Sequence, residues 1–221
     1  AAQWPDGHAM KHLARIAFSA LLAVLPALAA ASDPPERRTG LVSGAGDAPL
    51  TLLGHPVAVG DRAPDFTALD SRMQPVALHD YAGKVVIITS FPSVDTRVCA
   101  AQTRAFNQRA AAIPDVQVLT VSADLPFALE RFCAAEGIDR VRTLSDHRDT
   151  DYALKYGLLI AELRLLARAT VVVDRAGVVR YVEIVPRLGQ EPDYGRAIAV
   201  ATELSAAAEP PNATNPGPRA P

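Results

Sequence analysis

The sequence predicts an α/β domain with a central mixed sheet flanked by helices. Three observations carry that reading: an uninterrupted β-branched run at 85–91, an alternation of strands and helices after it, and a hairpin signal before a last helix. Val85-Val86-Ile87-Ile88-Thr89-Ser90-Phe91 lies between Gly83 and Pro92 without polar alternation, as expected of a strand buried on both faces. A helix is predicted from about 97 to 113, where Pro114 stops it. Residues 116–121 form a second buried strand, and 126–136 a helix with Gly137 just past its end. A short helix follows at 149–156, closed by Gly157. Residues 169–173 and 178–184 flank Asp174-Arg175-Ala176-Gly177, a turn sequence that joins two antiparallel strands. The last helix runs from about 193 to 207. Upstream, 51–53 and 57–59 flank Gly54-His55-Pro56 and suit an N-terminal β-hairpin, with short strands at 66–69 and 76–78.

A chain of 221 residues, 49% of them hydrophobic, can bury one sizeable core. With 22 basic against 24 acidic side chains, the net charge of −2 gives no electrostatic reason to expect nucleic acid or stable membrane association. One Trp, five Tyr and six Phe leave little aromatic surface for stacking bases. Two cysteines, Cys99 and Cys133, exclude a disulfide-dense scaffold and a zinc site built on three or four thiolates. His55, His79 and His147 share no ligand spacing and are expected at the surface or in loops. No cofactor is expected: Gly44-Ala45-Gly46 has Pro49 where a dinucleotide loop needs its third glycine, and no strand leads into it.

The chain ends read differently from its middle. Lys11, His12 and Arg15 precede an apolar run over 16–31 that ends in Ala27-Leu28-Ala29-Ala30-Ala31, with small residues at the positions a signal peptidase reads. Residues 1–31 are therefore expected to be a signal peptide, with 1–9 upstream of a start at Met10, and the protein to be periplasmic. Without a functional leader it would be cytoplasmic. Residues 32–49, rich in Pro and Gly, are expected to be a linker, 50–207 the folded domain, and 208–221 a solvated Pro-rich tail.

The segment with chemistry is Phe91-Pro92-Ser93-Val94-Asp95-Thr96-Arg97-Val98-Cys99. It puts a cysteine in the first turn of a helix, directly after a buried strand. Free backbone N–H groups and the positive end of the helix dipole there favour a thiolate, the form that attacks electrophiles such as a peroxide O–O bond. Thr96 lies one turn before Cys99, so its hydroxyl can donate toward the sulfur. Pro92 stiffens the loop and offers no N–H. Asp124 is expected to be a loop or cap residue, and Phe127 and Phe132 core residues.

Pro92, Thr96 and Cys99 form a Pro-x-x-x-Thr-x-x-Cys motif that resembles the peroxiredoxins, and Phe91 to Thr96 is similar to their thiol peroxidase branch. Val121-Ser122-Ala123-Asp124-Leu125-Pro126-Phe127-Ala128 with Arg131-Phe132-Cys133 resembles the segment that carries the branch's resolving cysteine. Leu166-Ala167-Arg168-Ala169 and Glu191-Pro192-Asp193-Tyr194 also match, all in the expected order across about 50–205. The resemblance implies a thioredoxin-like fold, a peroxidatic Cys99, a resolving Cys133, and Arg168 aimed at the thiolate and peroxide. It further implies a Cys99 sulfenic acid, a Cys99–Cys133 disulfide, reduction by thioredoxin or a periplasmic thioredoxin-like protein, and a homodimer. Arg97 stands where the branch has Gly or Pro, and the loop 161–165 is shorter than in the branch.

Two other classes compete on the same fold. An exported dithiol exchanger or copper-delivery module would use closely spaced cysteines, and Cys99 and Cys133 are far apart in sequence. A non-catalytic thioredoxin-like binding domain would use the pair as a structural disulfide.

Overall fold

The computed structural model describes residues 34–110 and 113–207. The expected leader and the Pro-rich tail lie outside the described residues. In chain order the elements are β1 (Glu36–Ser43), β2 (Pro49–Gly54), β3 (Thr67–Leu69), β4 (Pro75–Ala77), β5 (Val85–Ser90), α1 (Arg97–Ala110), β6 (Val116–Ser122) and α2 (Pro126–Glu136). After them come β7 (Val141–Ser145), α3 (Asp151–Lys155), β8 (Leu159–Ile160), β9 (Leu165–Leu166), β10 (Ala169–Val173), β11 (Val179–Ile184) and α4 (Tyr194–Ala206).

Among the described residues the strands form two sheets. The larger has the order β11-β10-β5-β6-β7-β3-β4 and the smaller β1-β2-β8-β9. The β5–β6 and β6–β7 pairs are parallel and the rest antiparallel, so the larger sheet is mixed, as the sequence predicts. All six residues of β5 are buried, which explains its continuous apolar run. One face of the sheet packs Val85, Ile87, Val118 and Val172 against Phe106 of α1 and Ala197 and Ala201 of α4. The other packs Val86, Ile88, Leu119 and Val171 against Leu52, Ile160 and Leu166 of the smaller sheet and the rings of Phe66, Tyr152 and Tyr156. The fold is thus layered, with β5 at its middle and the C-terminal end of β5 opening toward Cys99.

The region expected as a linker is structured. Residues 36–43 are a strand paired antiparallel with β2, from Glu36 opposite Gly54 to Ser43 opposite Pro49. Its only fully buried side chain is Val42, and its register slips between Thr39 and Val42, so it shows no alternation to read. The N-terminal hairpin therefore exists, but its turn is 44–48 rather than Gly54-His55-Pro56. Residues 57–59 are not a strand, and Val59 is exposed. The sequence also gives no sign of β7, whose Val-Arg-Thr-Leu-Ser is too short and polar for a periodicity signal. Phe127 is no core residue: it stands 52% exposed in the first turn of α2, whereas Phe132 packs at the edge of a small apolar cluster.

Candidate active site

β5 delivers the chain into a tight loop. Phe91, Pro92 and Val94 are buried, Ser93 accepts the Thr96 N–H through its carbonyl at 3.2 Å, and α1 begins at Arg97. Cys99 in the first turn of α1 is 0% exposed. Thr96 Oγ1 lies 2.8 Å from Cys99 Sγ, and Arg168 Nη2 donates to the same sulfur at 3.2 Å. The three side chains that the sequence singles out thus converge on one point. Pro92 is buried in the same loop. Arg97 is exposed.

Arg168 is the largest fully buried side chain of the domain, at 1% exposure. It reaches the site because it immediately precedes β10, whose Ala169 pairs with Ser90 at the end of β5. Its Nε and Nη2 donate to the carbonyl of Leu188 at 3.3 and 2.9 Å, and its Nη1 donates to Gln102 Oε1. Of these partners only the Cys99 sulfur can carry a negative charge. A guanidinium held here can stabilise negative charge that develops on the sulfur or on an oxygen beside it.

Sequence reasoning misses the groups that hold Arg168. Gln102 Nε2 donates to Thr89 Oγ1 and to the Ser90 carbonyl, the latter at 3.3 Å, fixing the amide orientation that lets its oxygen face Arg168. Its signal was available: Gln102 follows Cys99 by one helical turn and so shares its face. Leu188 acts through its carbonyl, for which no side-chain signal exists. That segment is held by β1, since the Ser43 N–H donates to Pro186 O at 2.8 Å and the Leu188 N–H donates to Ser43 O at 3.1 Å. The misread linker therefore supports the arginine.

Cys133 lies near the end of α2 and is half-buried. Its sulfur is 3.4 Å from Thr143 Oγ1 on β7, in an open cleft with Glu130, Ala134 and Arg142. Burial pushes this thiol's pKa up, and the Thr143 hydrogen bond offsets part of that. Both cysteines are free thiols, each with its own partners. A row of cross-strand threonines, Thr143–Thr120–Thr89–Thr170, runs under α1 and α2 from the Cys133 side to the Gln102 side. The Thr120 and Thr170 hydroxyls are buried without a protein partner.

Residues 58–198 match the Redoxin family. The chain is 55% identical to the thiol peroxidase of Oceanobacillus iheyensis over 146 residues, covering 66% of this chain and 89% of that one. It is 52% identical to the thiol peroxidase of Bacillus subtilis over 156 residues, covering 71% and 93%. The chain is a peroxiredoxin of the thiol peroxidase branch. A crystal structure of a peroxiredoxin-like protein from Aquifex aeolicus superposes with a TM-score of 0.70 at 38% identity, covering 77% of this peroxiredoxin and 99% of that chain. A thiol peroxidase from Chromobacterium violaceum, at 23% identity and a TM-score of 0.66, shares the fold. Among the described residues no group of His, Cys, Asp or Glu is placed to hold a metal ion, and no helix is long and apolar enough to cross a membrane.

Proposed function

We propose that the protein reduces hydroperoxides with Cys99 as the attacking thiolate. The observation that carries this reading is the convergence of Thr96 Oγ1 and the buried Arg168 Nη2 on the buried Cys99 Sγ. The thiolate attacks the terminal peroxide oxygen, the O–O bond breaks, and the alkoxide leaves as an alcohol after taking a proton. Cys99 becomes a sulfenic acid. Arg168 and Thr96 are placed to stabilise charge on the two oxygens as it develops, which acts on the transition state more than on the bound peroxide. The Cys133 thiol then attacks the sulfenic sulfur, water leaves, and a Cys99–Cys133 disulfide remains for a thioredoxin-like dithiol to reduce.

The test is steady-state peroxide consumption, with hydrogen peroxide and a bulky organic hydroperoxide, by wild type and Cys99→Ser. The substitution should leave less than about 1% of the rate, since a serine hydroxyl is not appreciably ionised near neutral pH. Retention of a substantial rate would refute Cys99 as nucleophile.

The basic, then apolar, then small-residue order of 11–31 supports export to the periplasm with cleavage after Ala29 or Ala31. An oxidising compartment would then call for a dedicated dithiol reductant. Mass spectrometry of the mature N-terminus decides this. A protein that retains residues 11–31 in the cytosol would contradict it.

A further inference from the structure

Asp124 lies in the turn between β6 and α2. Its carboxylate collects three hydrogen bonds: Ser93 Oγ donates at 2.6 Å, the Val94 N–H at 2.9 Å and Ser122 Oγ at 2.8 Å. Two of these come from the loop between Pro92 and Thr96, and the third anchors the carboxylate to the end of β6. The Asp124 carbonyl in turn accepts from Ser145 Oγ at the end of β7. One residue, through its carboxylate and its carbonyl, therefore ties the loop ahead of Cys99 to two strand ends, from a position just before the helix that bears Cys133.

Ser93 passes that restraint onward. Its carbonyl accepts the Thr96 N–H at 3.2 Å and lies 3.2 Å from Thr96 Oγ1, and its Oγ accepts the Asp95 N–H at 3.2 Å. Releasing Ser93 from Asp124 would loosen the loop as far as Thr96. The apolar half of the same contact is small. Phe91, Val94, Cys99 and Leu129 form a cluster separate from the two larger cores, with Phe132 at its edge. Regions with so few buried contacts are those that open locally at low cost.

An opening is required. A disulfide needs Cα atoms within about 7 Å and a restricted dihedral, which two thiols in separately packed helices seldom meet. Cys99 is turned to Arg168, and Cys133 to Thr143 on β7. Each sulfur must leave its present partner before the two can bond.

Resting on the peroxidase reading above, we propose that Asp124 is the latch on this movement and sets the fate of oxidised Cys99. While the latch holds, the sulfenic acid stays in the pocket where peroxide arrives. A second hydroperoxide there oxidises it to the sulfinic acid and leaves as an alcohol. When the latch opens, Cys133 displaces water from the sulfenic sulfur and the disulfide forms. Asp124 is a positioning residue: it touches neither sulfur, and its effect is on the partition between these two outcomes.

The experiment treats the reduced full chain with graded hydrogen peroxide, quenches on the millisecond-to-second scale, and quantifies disulfide and sulfinic Cys99 by mass spectrometry. Asp124→Ala should form the disulfide about 10-fold faster and give a correspondingly smaller sulfinic fraction per turnover, since two loop hydrogen bonds to a charged acceptor are lost. Ser93→Ala, which keeps the Val94 bond, should shift both quantities the same way by a smaller factor, and it decides the matter if Asp124→Ala does not fold. Leu204→Ala, on α4 away from the site, controls for general destabilisation and should leave the partition unchanged. Wild-type partition in both Asp124→Ala and Ser93→Ala, or an equal shift in Leu204→Ala, would overturn the latch alone. A wild-type chain that forms neither disulfide nor sulfinic acid would overturn the peroxidase reading and the latch with it.

Discussion

Cys99 and Cys133 belong to helices on the same face of one sheet, and their surroundings could hardly differ more. Cys99 is fully buried, with a guanidinium and a hydroxyl donating to its sulfur. Cys133 is half-buried beside a single threonine hydroxyl, and burial pushes its thiol up. What separates them is a cation donating to the sulfur itself: Arg168 does so at Cys99, whereas Arg142 lines the Cys133 cleft but donates to Tyr81 and Asp70. The difference fits the proposed order of events, in which Cys99 attacks the peroxide and Cys133 acts after it.

That contrast can be broken from the Cys99 side. Arg168→Met should lower the second-order rate with peroxide by roughly 10²- to 10³-fold, the usual cost of removing a donor aimed at developing charge. Thr96→Val keeps the β-branched shape and should cost about 10- to 100-fold, because it removes a neutral donor instead of a cation. Stopped-flow peroxide kinetics, with iodoacetamide alkylation of Cys99 as a second readout, measures both. If Arg168→Met matches wild type in both assays, the cation does not distinguish the two cysteines.

A smaller effect sharpens the contrast by separating stability from chemistry. Asp146, just after β7, is buried and accepts the N–H groups of Tyr152 at 3.2 Å and Ala153 at 2.9 Å. Burial dominates and pushes its carboxyl up from 3.8 to about 6. A folded-state pKa above the unfolded one means that the fold favours the protonated acid. Its stabilising contribution is complete below about pH 4 and is lost as pH rises through about 6. Between pH 4 and 7.5 wild type should therefore lose roughly 2 kcal/mol relative to Asp146→Asn, most of a shift of about two pKa units at 1.36 kcal/mol each. Urea unfolding of both proteins at several pH values checks this. Parallel pH profiles would show that Asp146 titrates normally.

How far the site could be read beforehand follows from where its information lies. Cys99, Thr96 and Pro92 are neighbours in sequence, joined by one strand–loop–helix unit, and Arg168 is marked by its place before a buried strand. Local pattern suffices for these. Gln102 was within reach, as it repeats the helical turn from Cys99. Leu188 and Ser43 were not, because they act through backbone atoms brought together by pairing over long sequence separations. The same reason hides β1. Its eight residues include one fully buried side chain, and it is a strand only because β2 offers it hydrogen bonds. Asp124 carries no signal beyond its loop position, since its partners Ser93 and Val94 lie thirty residues upstream.

The most direct test of the division of labour between the two sulfurs is a thiol count after one equivalent of hydrogen peroxide, with peptide mapping, on wild type and Cys133→Ser. Wild type should lose both thiols within seconds and yield one intramolecular peptide pair joining Cys99 to Cys133. Cys133→Ser should consume the same single equivalent and stop at Cys99 sulfenic acid, trappable by a dimedone-type probe. Two intact thiols in wild type, or oxidation that begins at Cys133, would contradict the assignment.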